Sequence, residues 1–205
     1  LQNWDVKQDK NGIVYFANNE GLLSFDGKNW KVYPLPNKTI VRSVEIGTDN
    51  KIYVGGQDEL GYFAPNTNGN LIYHTLTNLI PAKFRSFEDV WDIISYKSSL
   101  FFRSPNKIFE YNAGTITVFK APSEWAYLTS CNGKLYAHDY QTGLMSFEND
   151  VWQPMTTNYS FSKTDPITGM IPSAGGAIIT TLKNGLFYYS NNVIQPITTG
   201  ASSIF

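Results

Sequence analysis

Residues able to bind a ligand recur at one position of a repeated pattern. Trp4, Arg42, Trp91, Trp125 and Thr168 each lie eight residues before a turn residue, namely Gly12, Asn50, Ser99, Gly133 and Gly176. Tryptophan offers a flat apolar face to a sugar ring, and arginine offers a forked donor to carboxylate or hydroxyl groups. We therefore interpret this column as a candidate ligand site near the axis of the fold. Packing between neighbouring repeats is the competing interpretation, because tryptophan is usually well buried.

A second set of polar residues follows the second strand of each repeat, and we expect its loops to open on the same face as the column. Solvated turn chemistry is the alternative for any one of these residues. Further charged residues cluster in the longest connection, residues 77–89. This connection is also the best place for a single helical turn. Long connections are more often functional than short ones. The candidate ligand-binding residues from all these sets are Trp4, Arg42, Gln57, Trp91, Asp92, Arg103, Trp125 and His138.

Signals for catalysis are weak. His74 and His138 are the two histidines and do not form a pair at metal-binding spacing. Cys131 lies in a predicted hairpin turn, where a thiol is not activated by its surroundings. The sequence therefore predicts no catalytic residue, no metal and no cofactor. A carbohydrate-active lyase or hydrolase built on paired carboxylates stays open as an alternative.

The pattern that carries these residues is an all-β repeat. Its aromatic anchors are separated by 38, 48, 36 and 42 residues, and they are Phe25, Phe63, Tyr111, Phe147 and Tyr189. In the first repeat, a tight turn at Asn11 and Gly12 leads into a continuous apolar run at 13–17, typical of a strand covered on both faces. A period of this length made of strands and turns predicts a β-propeller.

The repeats predict five four-stranded antiparallel blades in a single propeller segment. Their expected bounds are 4–37, 41–81, 90–122, 125–158 and 167–199, and residues 200–205 are expected to begin a further blade. We therefore expect an incomplete part of a larger, seven-bladed propeller, cut from a longer protein. Such a segment exposes an apolar blade face at each end, which favours pairing with another copy.

Composition excludes some classes of partner. The 205 residues carry a formal net charge of −1 and no basic stripe, so direct contact with nucleic acid is not expected. The sequence has no apolar run long enough to span a membrane, and its one cysteine excludes an internal disulfide.

Residues 9–27, DKNGIVYFANNEGLLSFDG, resemble the repeat of the two-component regulator propeller family. The resemblance extends over essentially the whole chain and is strongest in the first, second and fifth repeats. Residues 103–105 and 138–140 depart from the repeat pattern, so those loops are the least predictable.

The resemblance implies the sensor region of a membrane-spanning regulator of Bacteroidetes-type bacteria, with a histidine kinase or a helix-turn-helix output domain. It implies a periplasmic module that senses a ligand, often a glycan, and dimerises in the full-length protein. Membrane contact would come only from later parts of such a protein. A propeller enzyme and a plain interaction scaffold are the alternatives, since a propeller hosts many functions.

Overall fold

The computed structural model describes residues 2–198. The further blade expected at 200–205 lies outside the described residues. The chain divides into two compact units, which meet in sequence between Lys120 and Ala121. We describe each unit by itself.

The first unit contains three four-stranded antiparallel sheets, each a meander in which successive strands pair. The first sheet comprises β1 (Asn3–Gln8), β2 (Val14–Asn18), β3 (Gly21–Phe25) and β4 (Trp30–Tyr33). The second comprises β5 (Val41–Ile46), β6 (Ile52–Gly56), β7 (Glu59–Pro65) and β8 (Leu71–Thr75). The third comprises β9 (Asp92–Tyr96), β10 (Ser99–Arg103), β11 (Lys107–Asn112) and β12 (Thr115–Lys120).

The long connection between β8 and β9 contains two short 3₁₀ turns, Thr77–Leu79 and Ala82–Phe84. The helical turn expected there is therefore confirmed in a tighter form. Two residues of this connection, Ile80 and Phe87, are fully buried, so apolar packing holds the connection against the sheets.

The second unit contains two further meander sheets of the same kind. One comprises β13 (Trp125–Cys131), β14 (Lys134–Asp139), β15 (Gly143–Glu148) and β16 (Val151–Pro154). The other comprises β17 (Ile167–Ser173), β18 (Gly176–Thr181), β19 (Leu186–Ser190) and β20 (Val193–Pro196). The prediction of five four-stranded blades is confirmed.

Burial follows position within each sheet. Every residue of β6 and β10 is buried, as their continuous apolar sequences predict for strands covered on both faces. The outer strand β4 is mostly exposed, with alternating Trp30 and Val32 on one side. The apolar cores lie where neighbouring sheets face each other, so a single sheet could not bury its own faces.

Candidate functional site

The first strand of most sheets bulges at one position. In β1 the bulge falls on Trp4, in β5 on Arg42, in β13 on Ala126 and in β17 on Thr168. A bulge leaves one residue unpaired and redirects its side chain. The sequence column is therefore a structural position that the fold repeats.

Trp91 occupies the same position in the third sheet, directly before β9. Asp92 pairs in register with Arg103 of β10. In the other sheets, the residue directly after the bulge pairs with the second strand in the same way. The Trp91 backbone N–H donates to the Arg103 carbonyl at 2.8 Å. The three column residues of the first unit thus lie on three consecutive sheets.

These three side chains meet in a cluster that we call the Trp–Arg clasp, formed by Trp4, Arg42 and Trp91. The guanidinium carbon of Arg42 lies 4.1 Å from the Trp4 ring centre and 5.0 Å from the Trp91 ring centre. The two indoles meet edge to face, with centroids 5.9 Å apart. Each tryptophan keeps 36% of its surface exposed, so the clasp presents aromatic surface to solvent while its cation contacts both rings.

The arginine of the clasp has unused donors. Its Nε lies 3.2 Å from the Asp89 carboxylate, an ion pair without hydrogen-bond geometry. Nε and Nη1 are buried, and neither has a hydrogen-bond partner in the part of the chain described here. A buried donor without an acceptor is costly, so the Arg42 guanidinium has hydrogen-bonding capacity that the described residues leave unfilled.

Two neighbours fix the clasp from either side. Trp4 Nε1 donates to the Asn19 side chain at 2.7 Å. Asp89, which pairs with Arg42, is held by a β-bridge to Gln57 in the loop after β6. Asn19 belongs to the loop set and Asp89 to the long connection that the sequence analysis singles out, although neither is among the eight candidate ligand-binding residues.

The predicted residues Asp92 and Arg103 form an ion pair beside Trp91. Arg103 is only 7% exposed, and it sits at the end of a fully buried strand. Its charge is therefore balanced by Asp92 at close range, and the pair braces the backbone that carries Trp91.

Trp125, predicted as a member of the column, lies in the core of the second unit. It is 1% exposed and packs on Trp152, with ring centroids 5.5 Å apart. In register it pairs with Asp139, and Ala126 takes the bulged position. The structure therefore assigns Trp125 to packing, the competing interpretation of the sequence.

His138 also lies inside the second unit and is fully buried. Its ring packs edge to face on Tyr140 and Phe161. Burial lowers the pKa of His138 to about 4, and the opposing effects of the Asp139 charge and the Phe161 backbone are weaker. At neutral pH the imidazole is uncharged, and with its burial the structure does not bring it to a ligand surface.

The loops after the second strands are shaped by side-chain acceptors. The Asp139 carboxylate accepts from the backbone N–H groups of Ser123, Glu124, Gln141 and Thr142, and from the Ser123 hydroxyl. Burial raises the pKa of Asp139, yet these hydrogen bonds outweigh it and leave the pKa below its usual value. Such residues serve the turn itself, as the alternative interpretation of the loop set predicted.

Among residues 2–198, no three His, Cys, Asp or Glu side chains converge as a metal site would require. No helix in this part of the chain is long and apolar enough to cross a membrane.

Comparison with protein-family models and with curated proteins finds no match. Solved structures do match. The extracellular domain of the hybrid two-component system BT4673 from B. thetaiotaomicron is 17% identical, with a TM-score of 0.72 over 95% of this chain and 27% of that chain. Virginiamycin B lyase from Staphylococcus aureus is 12% identical, with a TM-score of 0.70 over 97% of this chain and 70% of that one.

The WD40 propeller domain of Doa1 is 12% identical, with a TM-score of 0.64 over 94% of this chain and 70% of that one. This chain spans about a quarter of the length of the first matches, 27% of each. The match to BT4673 agrees with the resemblance to two-component regulator propellers at the level of fold. The matches to an extracellular domain, a lyase and a WD40 domain share one architecture, and this chain has the β-propeller fold.

Proposed function

We propose that this chain is an extracytoplasmic ligand-sensing segment of a bacterial membrane-spanning regulator, and that its ligand is a carbohydrate. The observation that carries the proposal is the Trp–Arg clasp, where two partly exposed indoles flank a guanidinium with unused buried donors. Indole faces suit sugar rings, and the guanidinium suits a carboxylate or hydroxyl oxygen. The fold likeness to the extracellular domain of BT4673 supports a sensing role.

The mechanism that suits such a module is rigid-body movement. The second strands of the second and third sheets are completely buried, so a ligand at the clasp would not rearrange these blades. Binding across three sheets would instead bias the position of this segment relative to other modules or to a second subunit. In this proposal the segment acts in the periplasm, within a dimer, and passes its state to a distal output domain.

A propeller enzyme acting on carbohydrate is the second candidate, and the likeness to virginiamycin B lyase favours it. An enzyme of this kind needs an acid or base at its site. His138 is buried and neutral, and His74 lies on the outer strand β8, stacked on Tyr62. Release of any cleavage product from an oligosaccharide panel would favour the enzyme over the sensor.

The test is thermal unfolding of the chain against a panel of oligosaccharides. A ligand that binds the folded state raises the melting temperature in a concentration-dependent manner. We expect at least one glycan to do so, and Arg42→Met and Trp91→Ala to abolish the shift. Trp30→Ala is the matched control, because Trp30 is exposed on an outer strand away from the clasp. A shift that survives in both clasp variants would overturn the proposed site.

A further inference from the structure

One face of the first sheet is apolar and partly exposed. A row of side chains crosses this face in register from β1 to β4, and neighbours in register point to the same side of a sheet. Val6 and Val32, at the two ends of the row, are 53% and 46% exposed. We call this surface the first-sheet face, and it is formed by Val6, Phe16, Leu23 and Val32.

The same positions in the second sheet are buried. Val44 lies two residues after its bulge and pairs with Val54, as Val6 lies two residues after its bulge and pairs with Phe16. Val44 and Val54 are fully buried, in a core that they share with the opposite side of the first sheet. The first-sheet face is therefore the kind of surface that this fold covers with the preceding blade.

The fifth sheet has an exposed face on the side away from its core. Its residues Met170 and Phe187 belong to the core shared with the fourth sheet, and the side chains that alternate with them point the other way. On that other side, Ile171 is 55% exposed and Leu186 is 39% exposed. We call this surface the fifth-sheet face, and it is formed by Ile171, Ile178, Thr180, Leu186 and Tyr188.

The fifth-sheet face corresponds to the surface with which the first sheet covers the second. Thr180 pairs with Leu186 as Ala17 pairs with Leu22. Ala17 and Leu22 are fully buried in the core between the first and second sheets. By position in the repeat, a fifth-sheet face is thus able to cover a first-sheet face as one blade covers the next.

Charge and chain length indicate which molecule supplies the cover. None of the residues that form the two faces is charged, so bringing the faces together removes no ion from water. Within these 205 residues, only 1 and 199–205 lie outside the description, too few to form four strands of the observed lengths. The cover that fits both observations is a second copy of the chain.

We propose that the first-sheet face of one copy binds the fifth-sheet face of another, head to tail. From strand spacing and rise, each face measures about 19 by 17 Å, which is small for a protein interface. The dissociation constant should therefore be on the order of 0.1 mM. Each added copy leaves one face of each kind exposed, so association should continue beyond a dimer. The proposal does not depend on the Trp–Arg clasp.

The experiment is sedimentation equilibrium of the chain and of two variants that each place a charge on one face. Val32→Lys blocks the first-sheet face and Ile171→Lys blocks the fifth-sheet face, and both positions are exposed, so the fold should persist. Each variant alone should be monomeric. An equimolar mixture should form a dimer and nothing larger, because it contains one intact face of each kind.

Val151→Lys is the control, because Val151 is 47% exposed on the fourth sheet, outside both faces, and this variant should associate like wild type. Thermal unfolding of each variant at low concentration verifies that it is folded. A wild-type chain that is monomeric at about ten times the expected dissociation constant would overturn the proposal. So would a mixture of the two folded variants that stays monomeric, or a blocked variant that still associates alone.

Discussion

The guanidinium of Arg42 lies over the Trp4 ring, 4.1 Å from its centre, although the two residues are 38 positions apart in sequence. Both residues hold the same bulged position at the start of neighbouring sheets. The repeat thus brings together side chains that share a structural position and differ in chemistry. Loops of a rigid scaffold are where binding residues commonly sit.

Removing the Arg42 side chain should weaken the fold as well as the site. Arg42→Met ends two cation–π contacts and leaves Asp89 without its partner. We expect the free energy of unfolding to fall by about 1–2 kcal/mol. Urea denaturation measures this, with Lys10→Met as the exposed control. An unchanged unfolding midpoint for Arg42→Met would show that the clasp contributes nothing to stability.

Close packing of the second sheet against the connection before β9 should make Gly55 intolerant of a side chain. A Cβ at this position would press on the Val90 side chain and lie 2.8 Å from Ser43 Oγ, which donates to the Val90 carbonyl. Gly55→Ala should therefore reduce the free energy of unfolding by about 2–3 kcal/mol.

Gly27→Ala is the matched control, because Gly27 has φ +93° and open space around it. Its cost should be about 1 kcal/mol, from backbone strain alone. Chemical denaturation of both variants compares them directly. Equal losses would mean that the contact at Val90 is not the limiting factor.

His138 should make the protein sensitive to mild acid. Its folded pKa is about 4, below the unfolded value of 6.5. Between these values the unfolded chain binds more protons, so acidification favours unfolding. The stability from His138 is complete above pH 6.5 and falls by about 3 kcal/mol as the pH drops to 4.

The difference between wild type and His138→Leu isolates this effect in denaturation curves from pH 7 to pH 4. The lowered pKa of Asp139 also reduces the free energy of unfolding in acid, mainly below pH 4. Wild type and His138→Leu share this effect, so it does not enter their difference. Trp30→Ala, which changes an exposed and uncharged residue of β4, is the control and should keep the wild-type pH dependence. A His138→Leu protein with the same acid sensitivity as wild type would contradict the assignment.

Asp139 should be essential to the fourth sheet. Its carboxylate accepts five hydrogen bonds that tie the segment before β13 to the loop after β14. Asp139→Ala should lower the free energy of unfolding by about 3 kcal/mol or more, because several backbone donors lose their acceptor. Glu148→Ala, at an exposed position, should change it by less than about 0.5 kcal/mol. Similar losses in the two variants would argue against this role.

Strand number and pairing could be predicted from the sequence because the turn residues and apolar runs repeat with the blades. The column was predictable for Trp4, Arg42 and Thr168, where bulges confirm its position. In the fourth sheet the predicted column residue lies one position before the bulge. Gly133 is the second residue of a two-residue turn, while the corresponding Gly176 begins a strand.

That one-residue difference places Ala126 at the bulge and Trp125 in the core. Counting from a glycine does not distinguish these two cases, because glycine serves a turn and a strand start equally well in sequence.

Ligand binding at the Trp–Arg clasp should change the tryptophan indole N–H signals in NMR. The chain has five tryptophans, so each signal can be assigned by substitution. Titration with the oligosaccharide panel should shift the Trp4 and Trp91 signals in a saturable manner and leave those of Trp30 and Trp152 in place. Five signals that stay fixed across the panel, or shifts that spare Trp4 and Trp91, would contradict the account.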